Sequence, residues 1–112
     1  MNALSEIGEI LTAAKIAWQT GAYTDSAPDS YVALVPLSDT FDIIADNRPQ
    51  FDVQAVRLSI FSKGNYNRIK NQLIRTLLDA DFFLSDRRYL KYDNETGYHQ
   101  YVLDVEKHYE ME

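Results

Sequence analysis

The apolar residues change period at Lys63-Gly64-Asn65, and this change constrains the fold more than any other feature of the chain. Before the break, Val56, Leu58 and Ile60 alternate with Arg57 and Ser59. That is the period of a strand with one buried face. After it, Tyr66, Ile69, Leu73 and Leu77 recur at helical spacing, with Ile74 and Leu78 beside them. Asn67, Arg68, Lys70, Asn71 and Arg75 cover much of the other side, and Asp79-Ala80-Asp81 closes the helix. Each element has one apolar face to bury, so the helix should lie on a sheet that contains the strand. The full strand, Phe51 to Ser62, holds a second apolar set of opposite parity, Phe51, Val53 and Ala55. Either the strand crosses from one environment to another, or a bulge shifts its register.

The remaining elements follow from the same two periods. Leu4, Ile7, Leu11, Ala14 and Trp18 predict a helix from Ala3 to Thr20, with Ile10 and Ala17 widening the stripe. Asn2 is its N-cap, and Gly21 stands where a C-terminal cap would be. Residues Gly21 to Ser30 read as a polar loop. Tyr31 to Pro36 and Thr40 to Ala45 read as two short strands of a hairpin turning at Ser38-Asp39, and Asp46 to Pro49 as the next turn. Phe82 to Tyr92 and Tyr98 to Tyr109 predict a second hairpin around Asp93 to Gly97. In the last strand His99, Tyr101, Leu103 and Val105 share one face. The tail, Glu110-Met111-Glu112, is expected to fray. The order is α-β-β-β-α-β-β. It predicts a single α+β domain over residues 1–112, an antiparallel sheet of about five strands with two helices packed on it.

Composition narrows the function classes. A chain of 112 residues with a 46% hydrophobic share can bury one modest core. No apolar run approaches the roughly 20 residues of a membrane helix, and the N-terminal stretch lacks the pattern of a secretory signal. The absence of cysteine removes disulfides, thiolate metal sites and cysteine nucleophiles. A net charge of −6 argues against wrapping nucleic acid, which requires neutralised phosphates.

Little in the sequence speaks for catalysis. The four glycines are scattered singly, and no Gly-x-Ser-x-Gly occurs. His99 and His108 are nine residues apart in one strand and face opposite ways, so they do not suit a shared metal, although Glu106 stands near His108. Asp93 to Gly97 lacks the alternating ligands of a calcium loop and reads as a turn. Asp79 and Asp81 flank a helix end, where carboxylates are ordinarily solvated. The expectation is a protein that is not an enzyme, with no cofactor and no metal. Arg87-Arg88, with Lys91 near and Tyr89, Tyr92 and Tyr98 around them, is the densest basic cluster. It reads either as an interface patch or as the solvated face of a strand.

Residues Tyr31 to Tyr109 resemble the small tail-completion proteins (tail-terminator, or head-to-tail joining, proteins) of long-tailed bacteriophages and their prophages. The likeness rests on Leu58-Ser59-Ile60-Phe61-Ser62-Lys63 at a strand end, then Tyr66, Ile69 and Leu73 on a helix. It continues in Asp93, Thr96, Gly97, Tyr98 and His99 at an acidic turn, and upstream in Tyr31 to Gln50 as a first hairpin. Arg87-Arg88 departs from the family, which more often has small polar and acidic residues there. The resemblance implies a structural virion protein of the tail or neck, made in the bacterial cytoplasm. It implies a ring, typically hexameric, on the head-proximal end of the tail tube, which stops polymerisation and receives the head connector. DNA would pass through the channel without specific binding, and an acidic wall would let it slide. The expected partners are copies of this chain, the tail-tube protein and neck proteins. The expected interface residues are Phe61, Lys63, Tyr66, Arg87, Arg88, Tyr89 and Tyr98. Free strand edges could pair between subunits, and the loops at Gly21–Ser30, Asp46–Pro49 and Asp93–Gly97 could order on docking. Two alternatives stand beside this reading: a head-completion or stopper protein of the neck, and a small host α+β domain that binds a ligand or regulates.

Overall fold

The computed structural model describes residues 2–21, 27–44 and 48–110, with side chains placed outside 38–51. The chain runs α1 (Ala3–Ala13), β1 (Trp18–Thr20), β2 (Ser30–Ile44), β3 (Arg48–Ser62), α2 (Tyr66–Asp79), β4 (Phe83–Tyr92) and β5 (His99–Glu110). The strands form one open sheet in the order β1-β2-β3-β5-β4. All neighbours are antiparallel except β1, which lies parallel to β2.

The period-two face of β3 supplies the centre of the core. Val56, Leu58 and Ile60 are buried, flanked in register by Pro36, Leu34 and Val32 on β2 and by Val105, Leu103 and Tyr101 on β5. Ile7 and Leu11 of α1 and Leu73 and Leu77 of α2 join the same cluster, so both helices cover one face of the sheet. Each fully buried Leu or Ile contributes roughly 1.5–3 kcal/mol.

The helices begin and end by matched devices. Asn2 caps α1 as expected, its Oδ1 accepting from Ser5 N at 2.8 Å, and Asn65 caps α2 through Asn67 N at 3.0 Å. At the other ends Lys15 (φ 60°) and Asp81 (φ 68°) turn left-handed. Ile16 N then bonds Leu11 O and Lys15 N bonds Thr12 O. In α2 the equivalent bonds are Phe82 N to Leu77 O and Asp81 N to Leu78 O. These are two Schellman terminations, each with an apolar residue just past the turn and a buried leucine five residues before it.

The first termination corrects the predicted helix from Ala3 to Thr20. The helix stops at Ala13, and the residues assigned to its last turn form β1 instead. Trp18 turns back under α1, where its ring faces Gly8, and its Nε1 donates to Thr12 Oγ1 at 3.0 Å. Gly21 (φ 74°) therefore follows a strand and not a helix. The predicted hairpin of Tyr31–Pro36 and Thr40–Ala45 is also corrected. These residues, as far as Ile44, are one continuous strand, with the register shifting between Pro36 and Ser38. Element order and count still match, because β1 takes the place of the strand lost from that hairpin.

The parity change along β3 has a clear cause. From Phe51 to Ser62 its ladder with β5 has no register shift, and the shift opposite Ala55–Val56 lies on β2 between Pro36 and Ser38, so β3 alternates straight through and its two apolar sets stand on opposite faces of the sheet. Predicted features at Ala45–Asn47, in the loop at 22–26 and at Met111-Glu112 lie outside the described residues. Arg48 and Pro49 already belong to β3, and Glu110 ends β5.

A polar cluster ties the helices to the far end of β5. Lys107 Nζ donates to Glu6 Oε2 at 2.7 Å and to Ala80 O at 2.8 Å, between the rings of Phe82 and Tyr109. Tyr109 donates its hydroxyl proton to Glu6 Oε1 at 2.8 Å. Burial, then the bond and the negative charge of Glu6, hold the Tyr109 phenol well above its ordinary range.

Two predictions follow from these ends and ties. Lys15→Gly and Asp81→Gly should each stabilise the fold by about 0.5–1 kcal/mol, because glycine takes the left-handed turn without strain; urea titrations measure this. For Tyr109, the folded phenol keeps its proton where the unfolded one, near pH 10, has lost it. Stability therefore falls as pH rises above 10. The denaturation midpoint of Tyr109→Phe should fall less steeply there than that of the wild type.

Candidate functional site

The β4–β5 turn gathers the tyrosines at one end of the sheet. Asp93 sets the turn: its Oδ1 accepts from Glu95 N at 2.9 Å, its N donates to Tyr98 O, and its O accepts from Gly97 N at 2.7 Å. Gly97 (φ 83°) supplies the left-handed residue the turn requires. The bonds from Glu95 and Thr96 keep the Asp93 carboxyl below its ordinary range. The turn sends Tyr92 back opposite His99 and Tyr89 opposite Tyr101.

Alternation then splits the aromatic residues between the two faces of the sheet. On the face without helices, Tyr31 and Phe61 stack with ring centroids 4.8 Å apart. Tyr98 stands edge-on to both, at 5.5 and 6.2 Å. Lys63 Nζ lies 5.0 Å from the Tyr98 centroid and 3.8 Å from Asp29 Oδ1. Tyr98 Oη donates to Pro28 O at 2.6 Å, fastening the turn to the segment before β2. Tyr31, Phe61 and Tyr98 line a shallow cleft of about 220 Å³ with Lys91, Asp93, Thr96 and Gln100.

On the helix side, Tyr66 at the start of α2 packs on Tyr89, His99 and Tyr101, with centroids 5.5–5.7 Å apart. Tyr89 Oη and His99 Nδ1 are 3.0 Å apart, and Tyr92 lies 4.7 Å from the His99 ring. Lys70 Nζ stands 5.1 Å over Tyr101. Tyr89, Leu90 and Tyr92 are each more than 40% exposed, so this cluster has an open apolar rim.

Further along the helix-free face, Arg57 grips Asp104 through two bonds of 2.8 and 3.0 Å. This pairing raises the Arg57 guanidinium above its already high range, first through the hydrogen bond and then through the charge of Asp104. Ala33, Ser59 and Val102 lie in register between that pair and the Tyr31–Phe61 stack, and they are buried although no helix covers them.

The seven residues expected from the sequence thus fall into three groups. Phe61, Lys63 and Tyr98 meet on one face. Tyr66 and Tyr89 meet on the other. Arg87 and Arg88 are exposed on β4, opposite Leu103 and Val102, and belong to neither cluster. Arg88 Nε reaches Asp86 Oδ2 at 3.5 Å. Sequence reasoning missed Tyr31, His99 and Tyr101 as cluster members, and Tyr92, which it set beside Arg87-Arg88, packs on His99 instead. Counting register outward from the Asp93–Gly97 turn would have found Tyr92 opposite His99.

Among the described residues no group of three or more His, Asp or Glu side chains could hold a metal ion. No helix among them is long and apolar enough to cross a membrane. No protein-family model matches the chain, and no curated protein matches it.

The Tyr98 anchor is testable. Tyr98→Phe removes the bond to Pro28 O, a loss of about 1 kcal/mol. Lys63 N bonds Asp29 O one residue further on, so its amide should exchange roughly fivefold faster in the variant by NMR.

Proposed function

We propose that this chain is a structural subunit of the phage neck, a tail-terminator protein. In this reading copies form a ring, typically of six, on the head-proximal end of the tail tube. The ring ends tube polymerisation and offers its other side to the head connector. DNA passes through without specific binding. The chain does no chemistry.

One observation carries the reading: the sheet is open, long and only partly covered. The molecule measures 54 × 25 × 24 Å, drawn out by the two 15-residue strands β2 and β3. Both helices lie over the middle of one face, and the other face has none. Such a form suits a subunit that is completed by neighbours better than one enclosing a substrate. The resemblance at Phe61–Lys63, Tyr66 and Asp93–His99 adds to this, because those residues fall at one end of the sheet. In the proposal that end, with Phe61, Lys63, Tyr66, Tyr89 and Tyr98, meets the tail tube or the neck, and Arg87 and Arg88 serve contacts between subunits.

The direct test is electron microscopy of the purified protein mixed with headless tails that lack it. The expected result is added density at the head-proximal end of each tail; bare ends would sink the proposal. Arg87→Glu with Arg88→Glu should leave stability within about 0.5 kcal/mol of wild type, since both side chains are exposed. The same double variant should decorate tails poorly. Decoration at the wild-type level would remove these arginines from the interface.

A further inference from the structure

We infer that the two free edges of the sheet bind each other between copies of this chain: the outer edge of β4 on one copy adds to the outer edge of β2, from Val35 to Ile44, on the next. The inference deepens the ring reading and rests on it for closure alone, since the pairing itself follows from the edges.

Among the described residues, β4 has no strand on its outer side. On the other side of the sheet, β1 pairs with Val32, Ala33 and Leu34, and among the described residues no strand lies outside β2 from Val35 onward. The open stretches, Val35–Ile44 and Phe83–Tyr92, are equally long. Each carries exposed apolar side chains, Val35 and Leu37 on one and Phe83 and Leu90 on the other. Unpaired backbone groups on such edges invite another strand.

Charge decides which strand each edge accepts. Seven of the eleven basic residues lie between Lys63 and Lys91, against three acids, so α2 and β4 form a segment of net charge +4. The rest of the chain carries −10. The bare stretch of β2 contributes Asp39 and Asp42 to that balance, and no base. β4 carries Arg87, Arg88 and Lys91 against Asp86, a net +2, so joining β4 to β4 brings two positive edges together, and joining β2 to β2 brings two negative ones together. Like charges directly across a ladder are destabilising and opposite ones favourable. The mixed pairing joins edges of opposite net charge. β4 also has two register shifts and β2 one beside Pro36, irregularities that discourage indiscriminate strand addition.

The strand order gives the direction. β2 and β5 run one way, β3 and β4 the other. A copy placed beside its neighbour in the same orientation therefore meets β2 with an antiparallel β4. The contact is head-to-tail, using two different surfaces of each copy, and such contacts build rings or filaments and not closed pairs.

The chain has no cysteine, which makes the test direct. Val35 and Lys91 are exposed on the helix-free face, one on each edge. The variant with Val35→Cys and Lys91→Cys, treated with a short bismaleimide, should give a ladder of dimer, trimer and larger species. Each single-cysteine variant should stop at dimer, and the ladder should weaken in 1 M salt. In the double-cysteine background, Arg87→Glu with Arg88→Glu, and separately Asp39→Lys with Asp42→Lys, should each lose the ladder. Mixing those two proteins should restore it, because each then meets an edge of opposite charge. A double-cysteine variant that yields no more than the single ones overturns the inference. So does a mixture that fails to restore the ladder while both components keep the wild-type circular dichroism. Tail decoration separates the two proposals: capped tails without a ladder refute the edge pairing alone, and a ladder with bare tails refutes the ring reading alone.

Discussion

Everything in this molecule is hung on the ladder between β3 and β5. It runs without a register shift from Phe51 opposite Glu110 to Ser62 opposite His99. Its helix-side face sets Val56, Leu58 and Ile60 beside Val105, Leu103 and Tyr101, and both helices bury their leucines there. A slip of one residue would turn Arg57 and Ser59 into that core and send the apolar set to the open face. The Arg57–Asp104 pair supports the same register from the other side, with two short bonds between directly opposed residues. Apolar packing on one face and a charged clasp on the other thus enforce one alignment.

The parts of the fold that were legible in the sequence are those where local pattern and tertiary burial agree. The alternation of β3, the helical stripe of α2, the Asn2 cap and the turn at Asp93–Gly97 all carry residues whose intrinsic preference matches their position. The end of α1 is hidden because a lysine, not a glycine, takes the left-handed turn, and because Ala14 and Trp18 continue a helical spacing that the backbone has abandoned. The long β2 looks broken because Pro36 and Ser38-Asp39 resemble a turn. Next to a bulge, on a stretch of β2 with no outer partner among the described residues, they are tolerated. The candidate site was half legible for a similar reason. Phe61, Tyr66 and Tyr98 stand out in sequence, but their neighbours Tyr31 and Tyr101 come from strands whose register only the folded sheet reveals.

Tyrosine suits the open end of such a sheet. Its ring fills area against Phe61 or Tyr66, while its hydroxyl finds a carbonyl or an imidazole at the surface, as Tyr98 does with Pro28 and Tyr89 with His99. Aromatic surface can then stay exposed without leaving polar groups buried and unpaired. Among the described residues no side-chain nitrogen or oxygen is buried without a hydrogen-bond partner. The end carrying both clusters therefore pairs its polar groups internally and still has apolar rim to offer a partner.

The shortness of β1 has a geometric consequence. Among the described residues the outer side of β2 is occupied only as far as Leu34, where Gly21 N donates to Leu34 O. A strand added beside β2 must start beyond that point, whereas Tyr92 of β4 lies level with Ser30 across its own sheet. Copies joined edge to edge would be offset along the strands by about five residues, roughly 17 Å. An offset of constant sign returns to its starting level only if the strands lean away from the axis of the assembly, as they do at roughly 35–45° in a closed barrel. β1 would then act as a ruler, and its three residues would set the pitch of the wall.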